Sequence, residues 1–368
     1  MTKKTPKPPA APVVSGAALP ASFTPRHIAV VGAGIAGITC ARTLVQAGHR
    51  VTVFEKSRGA GGRMSTRHTE FGTFDHGTQY FTVRDARFAL AMSTSPSVVR
   101  PWSANAVRIL DETGRVVAAA KPAREAHYVG APGMNALVKH WAQPLISASQ
   151  LVFDTQVSRI EPDKLHPKQW QLQTEGPGDT TQVYAGFDDV VLAVPSVQAK
   201  ALLLSSQLCK PLVAAMAKVT VAPCWTLMLA FPQAQQAQLT SLGPQWNAAR
   251  STHHRIAWLA RESSKPKRGP IERWTVNASP DWSARHLEDS AERVTAKLLR
   301  GFTEITGIRA TPSYTAVHRW RYAQTVEPLG QNFAWDAKAR IGVCGDWCIG
   351  HRVEDGFVSG LEMALALV

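Results

Sequence analysis

The sequence predicts an α/β fold in which a dinucleotide-binding sheet carries a second domain with an antiparallel sheet. Three features carry this expectation. A glycine-patterned turn lies between an apolar run and a helix-like stretch, a second Gly- and Arg-rich loop follows it, and a strand–turn–helix pattern closes the chain.

His27–Val31 is a short β-rich apolar run. Gly32-Ala33-Gly34-Ile35-Ala36-Gly37 follows, then helical spacing to Ala47, Gly48 as a stop, and a second strand at Val51–Phe54. Gly32 permits a tight turn, Gly34 lets the backbone approach a pyrophosphate, and Gly37 lets the helix pack close to the sheet. The unpaired N–H groups of the helix start, at Ile35 and Ala36, offer partial positive charge to phosphates. Glu55, 18 residues past Gly37, ends the second strand. A carboxylate there accepts ribose hydroxyls and repels a 2′-phosphate, which favours FAD or NAD.

The segment Glu55-Lys56-Ser57-Arg58-Gly59-Ala60-Gly61-Gly62-Arg63 departs from a plain NAD domain, in which another crossover helix would follow. Its glycines allow close backbone contact, and Arg58 and Arg63 bring fork-shaped donors for phosphate. A flexible surface loop is the plainer alternative for this segment taken alone.

Farther on, Leu151–Ile160 alternates like a strand and Val190–Val194 reads as a buried strand ended by Pro195. Cys224–Phe231, Arg255–Ala260 and Arg273–Ala278 are strand-like runs with turn-rich spacers, which suggests an antiparallel sheet. Ser290–Phe302 has helical spacing. At the C-terminus, Ile341–Cys344 reads as a strand, Gly345-Asp346 as a turn, and a helix opens near Gly356.

Composition sets the outer limits. The 368 residues, 45% hydrophobic and 18% charged, suit a soluble globular protein with a large core. No apolar run approaches the roughly 18 residues of a membrane span. The net charge of +14 suits anionic ligands. No helix-turn-helix, zinc-finger or ribonucleoprotein signature occurs, so nucleic acid is not the expected partner. Five cysteines with no CxxC pair suggest neither a disulfide framework nor a zinc site, and point to a reducing, cytoplasmic setting. The adjacent pair His253-His254 lacks metal-ligand spacing and reads as a solvated loop. Residues 1–25, rich in Pro, Ala, Ser and Lys, read as a disordered tail.

With these motifs in hand, the chain resembles the FAD-dependent amine oxidases and their relatives, the p-hydroxybenzoate hydroxylase/amine oxidase-like architecture. "EKSRGAGGR" and "IGVCGDWCIGHRVEDGFVSGLEMA" carry that likeness. "SRGAGGRMSTR", "FDHGTQYFTVRD", "YVGAPGMNALVK", "WLARESSKP", "HRWRYA" and "CGDWC" resemble its bacterial renalase branch. The resemblance implies that Asp346 meets the ribityl–phosphate region, that the helix near Gly356 points at the isoalloxazine, and that Val157 lies near the adenine. It implies a discontinuous FAD domain at about 26–95, 148–205 and 335–368, with a substrate domain at 96–147 and 206–334. FAD is expected to be non-covalent, because Cys344 lies outside the covalent-attachment motif of monoamine oxidases.

Candidate pocket residues are Asp75, His76, Gln79 and Tyr80 in "DHGTQYF", with Gly77 allowing a close approach to the ring. His318, Trp320 and Tyr322 come from "HRWRYA", and Trp258, Arg261 and Lys265 from "AWLARESSK". Tyr80, Trp258, Trp320 and Tyr322 are the aromatic candidates for the reacting centre, with Gln79 and Tyr80 also near the cofactor; core packing is the plainer role for such aromatics. No nucleophile–base dyad or metal cluster is evident. The resemblance implies oxidation of 2- or 6-dihydro isomers of NAD(P), with O2 reduced to H2O2. An amine oxidase or desaturase, and a flavin-binding redox sensor without turnover, remain alternatives.

Overall fold

Six strands form the central sheet, in the order Ala334–Asp336, Ile341–Val343, Asp189–Leu192, His27–Val31, Arg50–Phe54, Leu151–Val152. All neighbours run parallel except the first pair. This is a computed structural model, and it describes residues 24–102, 107–119, 125–235, 244 and 246–368. Apart from residues 24 and 25, the expected tail lies outside the described residues.

The period-2 alternation of the central strands divides their side chains between two cores. Ile28, Val30, Val51, Val53 and Val191 pack under the helices Ile35–Gln46, Ala136–Ser147 and Val353–Leu365. Ala29, Val31, Phe54, Val190 and Leu192 face the other way. There they meet a three-stranded antiparallel sheet of Gln156–Pro162, Trp170–Glu175 and Thr181–Phe187, and the helix Ser196–Ser205. Both faces are covered, which is why these strands read as continuous apolar runs.

The strand expected over Leu151–Ile160 is in fact two. Leu151–Val152 joins the central sheet and Gln156–Pro162 the three-stranded one. Between them Asp154 takes a left-handed φ of 51°, a break that alternation cannot signal.

The second large sheet has seven strands, ordered Tyr314–Glu327, Thr220–Phe231, Glu272–Ala278, Ile256–Arg261, Ala248–Ser251, Val107–Leu110, Val116–Ala119. Its pairings are antiparallel except Ala248–Ser251 with Val107–Leu110. Leu227, Leu229 and Phe231 pack on Leu298 and Phe302 of the helix Ala291–Thr306. Ser290 caps that helix by accepting from Arg293 N, and Gly307 ends it with a φ of 72°. Met228 and Ala230, on the opposite face, pack on Phe74. The two sheets thereby meet around residues 63–81, where the candidate site lies.

Candidate active site

A cleft of about 1210 Å³ runs from the first glycine turn to the strand Tyr314–Glu327. At one end lie Gly32, Gly34, Ile35 and Ala36. Gly32 has a φ of 107°, and a Cβ on it would fall 2.6 Å from Ala193 O. A Cβ on Gly37 would fall 1.9 Å from Gly32 O, so Gly37 serves helix packing and does not line the cleft. A Cβ on Gly34, in contrast, would meet nothing within 4 Å. The helix that starts at Ile35 has no side-chain cap and no acidic residue in its first turn. Its amide groups and positive dipole end are therefore available to an anion.

Glu55, 7% exposed, accepts from Ala33 N at 2.7 Å and Ser57 N at 2.9 Å. Its carboxylate is fixed at the cleft wall, beside Lys56 and Arg58, with lone pairs left for hydroxyls. Gly62, Arg63 and Val157 line the same cleft, as do Asp346 and Gly356. Arg63 Nη1 donates to Asp346 Oδ2 at 2.8 Å, and its Nη2 to Asp346 Oδ1. Gly356 lies in the first turn of the helix Val353–Leu365, which opens three residues before the position expected from sequence. An uncapped helix start, an open glycine, a fixed strand-end carboxylate and an arginine fork form a cradle that fits FAD.

At the other end, three segments are tied together. Thr78 N donates to Arg63 O at 2.9 Å, and a Cβ on Gly77 would fall 2.0 Å from that same oxygen. The close approach that requires Gly77 is thus to the Arg63 backbone. Trp320 Nε1 donates to His76 O at 2.8 Å. His318 and Trp320 alternate on one strand and share a face, and a bulge in the pairing after Trp320 lets Tyr322 line the cleft with them, beside Arg319 and Arg321.

The His76 ring stacks on Trp320, with centroids 5.5 Å apart, and lies edge-on to His318 at 4.8 Å. Its Nε2 is 3.1 Å from Ser65 Oγ, and the ring also hydrogen-bonds to the backbone of Phe74. Burial, helped by His318 and Arg67, lowers the His76 pKa to about 4. Burial and Arg67 bring His318 to about 4 as well. Both imidazoles are neutral at pH 7. The cleft-lining carboxylates among the described residues are Glu55 and Asp346, each already bound.

Tyr80 and Trp258 lie elsewhere. Their rings pack 5.6 Å apart, with His127 4.4 Å from Tyr80, away from the cleft lining. Gln79 is turned inward, donating to Gly77 O at 3.3 Å and accepting from Lys265 Nζ at 3.3 Å. Lys265 does not reach the cleft either. It is 3% exposed, held by Asp75 Oδ2 at 3.0 Å and Glu262 Oε1 at 2.9 Å, while Arg268 reaches Asp75 at 2.5 Å. Asp75 also accepts from Thr66 Oγ1 at 2.8 Å and Met134 N at 2.9 Å. Burial alone would raise the Asp75 carboxyl, but Lys265 and Arg268 hold it below its usual range. For Glu262 burial prevails over Lys265 and pushes the carboxyl up. Arg261 pairs with Glu272 at 2.7 Å. Sequence reasoning missed this closed ionic cluster; the charge density of "RESSKPKR" was its one signal. His253, read as solvated, is 5% exposed against Glu304 at 3.2 Å.

Among the described residues no group of three or more His, Cys, Asp or Glu could hold a metal ion. No helix among them is long and apolar enough to cross a membrane.

Residues 30–91 match an NAD(P)-binding Rossmann-like domain, and residues 111–368 match the flavin containing amine oxidoreductase family. The chain is 50% identical over 48 residues to an L-amino-acid oxidase of Bothrops pauloensis, covering 13% of this chain and 10% of that protein. It is 48% identical over 58 residues to a 4,4'-diapophytoene desaturase (4,4'-diaponeurosporene-forming) of Staphylococcus haemolyticus, covering 16% and 12%. These matches thus span about a tenth of each relative's length. The cyclohexylamine oxidase of Brevibacterium oxydans has the same fold, with a TM-score of 0.68 and 14% identity over 94% of this chain and 99% of that one. The chain belongs to the flavin containing amine oxidoreductase family and carries a Rossmann-like dinucleotide-binding domain.

Proposed function

We propose that this protein is an oxidase of dihydropyridine nucleotides, taking 2- or 6-dihydro isomers of NAD(P) to the aromatic pyridinium. Substrate, O2 and one proton become NAD(P)+ and H2O2. Bound FAD supplies a two-electron acceptor that dioxygen reoxidises. The cleft's own residues bind and orient. The helix start at Ile35 and Arg63 would hold the cofactor's phosphates, Glu55 would hold its ribose, and Trp320 and Tyr322 bound the ring end.

One observation carries the choice of substrate. The ring end of the cleft has two neutral imidazoles, a neighbouring Arg67 and no free carboxylate among the described residues. An amine arrives as an ammonium ion and must lose a proton before it gives up hydride. Imidazoles with a pKa of about 4 are weak bases for that task. A dihydropyridine needs no base, since loss of hydride itself restores aromaticity.

Cys344 is fully buried and does not line the cleft, which supports a non-covalent flavin. The five free cysteines agree with a cytoplasmic setting. The domain limits 26–95, 148–205 and 335–368 for FAD, and 96–147 and 206–334 for substrate, are part of this proposal.

Anaerobic mixing with a dihydropyridine nucleotide isomer and, separately, with primary amines tests the reading by flavin absorbance. Fast bleaching by the isomer is expected. Fast bleaching by amines alone would replace this reading with an amine oxidase.

A further inference from the structure

We infer that Arg319 and Arg321 seat the phosphate groups of the nucleotide substrate, and that Glu288 is the carboxylate those groups displace. The inference rests on the dihydropyridine nucleotide reading and specifies how the charged part of that substrate is held.

A nucleotide with its ring at Trp320 and Tyr322 brings phosphate charge into the cleft, and cations must meet it. Most of the cleft-lining cations among the described residues are already engaged. Lys56 and Arg58 lie beside Glu55 at the far end, and Arg63 binds Asp346 with both Nη atoms. Arg352 reaches Glu125 at 3.5 Å, Glu354 at 3.8 Å and the Thr82 hydroxyl. Arg319 and Arg321, in contrast, share the single carboxylate of Glu288. The ring end of the cleft therefore has its excess of positive charge at this pair.

The pair already has the shape that a phosphate needs. Arg321 holds Glu288 with both Nη atoms, at 2.5 and 2.9 Å, and Arg319 Nη1 adds a contact at 3.0 Å. Arg319 is kept in place by Leu287 O at 2.9 Å and by the Trp225 ring, whose centroid is 5.6 Å from its Cζ. Guanidinium groups bind carboxylate and phosphate in the same bidentate geometry, so one anion can replace the other. The exchange is easy. Glu288 lies in the connection between the helices Pro280–Arg285 and Ala291–Thr306, its side chain 66% exposed, and pairs this exposed add little to a fold. Position agrees as well. Arg321 lies between the two ring-end aromatics in the chain, in the bulge after Trp320. The phosphate of a nucleotide is one ribose away from its ring, a gap that an arginine side chain spans.

Binding to the FAD-loaded protein, followed by flavin absorbance, tests the seat without turnover. The probes are oxidised nicotinamide mononucleotide and nicotinamide riboside, which differ by a phosphate. Wild type should bind the mononucleotide at least about tenfold tighter, the scale of hydrogen bonds to a charged group. Arg321→Gln should reduce that preference to about threefold or less, and Arg321→Lys, which keeps the charge without the fork, should restore part of it. Glu288→Gln should widen the preference by about two- to fivefold, the scale of an exposed ion pair, because the competing carboxylate is gone. Side chains that only hold the fold together would not shift the two Gln variants in opposite directions. The preference is a ratio within one protein, so a smaller folded fraction does not alter it. Equal binding of the probes by wild type, a preference retained in Arg321→Gln, or no widening in Glu288→Gln overturns the inference. Single-turnover reduction by the 6-dihydro forms of both probes separates the two levels. If neither reduces the flavin in wild type, the dihydropyridine reading falls and this inference with it. If reduction proceeds and wild type binds the oxidised probes equally, this inference alone falls.

Discussion

Arg63 and Asp346, 283 residues apart in sequence, face each other across the cofactor cleft with Nη1 and Oδ2 at 2.8 Å. Their side chains keep 28% and 11% of their exposure, so the pair is partly solvated. Pairs of this kind contribute about 0–1 kcal/mol to a fold. Arg63→Met should hardly move the urea midpoint of the cofactor-free protein. It should weaken FAD binding by on the order of 1.5–3 kcal/mol, the scale of hydrogen bonds to charged groups. An unchanged FAD dissociation constant would show that Arg63 serves Asp346 alone.

The first turn contains two glycines with opposite sensitivities. A side chain at Gly34 enters open cleft, whereas one at Gly37 collides with Gly32 O. Gly34→Val should therefore give a folded but colourless protein, because the branched side chain occupies the pyrophosphate's path. Gly37→Val should not accumulate as folded protein at all. Circular dichroism and visible absorbance on the two variants separate these outcomes. A yellow Gly34→Val protein would contradict the assignment of this turn to FAD.

How legible was this arrangement beforehand? The glycine turn, Glu55 and the Gly345-Asp346 turn were readable because their geometry is local and each residue's role depends on near neighbours. The ionic cluster was not, because Asp75 meets Lys265 only after the two sheets dock. The aromatic candidates divide for a related reason. Alternation puts His318 and Trp320 on one face, but it shows neither the bulge that brings Tyr322 to them nor which of two strands presents its face to the cleft. Trp258 is on the strand that packs against Tyr80 instead.

The buried cluster gives an unequal pair of variants. Lys265, Asp75, Glu262 and Arg268 all have fully buried side chains. Lys265→Met leaves two carboxyl groups short of a cation and should cost about 3–5 kcal/mol. Glu262→Gln should cost much less. Burial already biases that carboxyl toward its neutral form, and its Oε2 has no partner among the described residues. Urea denaturation of both variants checks the order, and a reversed order would refute the charge assignment.

His76 and His318 make stability depend on pH in a definite direction. Each titrates near 4 in the folded protein, against 6.5 for an unperturbed histidine. Between these values the unfolded chain holds more protons than the folded one, so stability falls as pH drops from about 6.5 toward 4. Above 6.5 both states are neutral and these groups contribute no slope. His76→Asn should flatten the decline in Tm over that window, and equal declines in variant and wild type would argue against a buried neutral His76.

The reaction itself gives the last prediction. Hydride transfer from a dihydropyridine requires the donor carbon to be held within near-attack distance of the acceptor, with no proton to remove. If the ring end of the cleft, bounded by Trp320 and Tyr322, holds the pyridine in one orientation, one region of its edge meets the acceptor. Donors carrying hydride at carbon 2 or 6 should then react quickly, whereas the ordinary 4-dihydro form, bound the same way, presents the wrong carbon. Under anaerobic conditions the 2- or 6-dihydro isomer should bleach the flavin at least about 100-fold faster than the 4-dihydro form, a barrier difference of about 2.7 kcal/mol. Readmitted oxygen should restore the yellow colour and yield about one peroxide per substrate, as a two-electron oxidase requires. Similar rates for all three isomers would mean that the ring is not fixed, and the proposed selectivity would have no basis in this cleft.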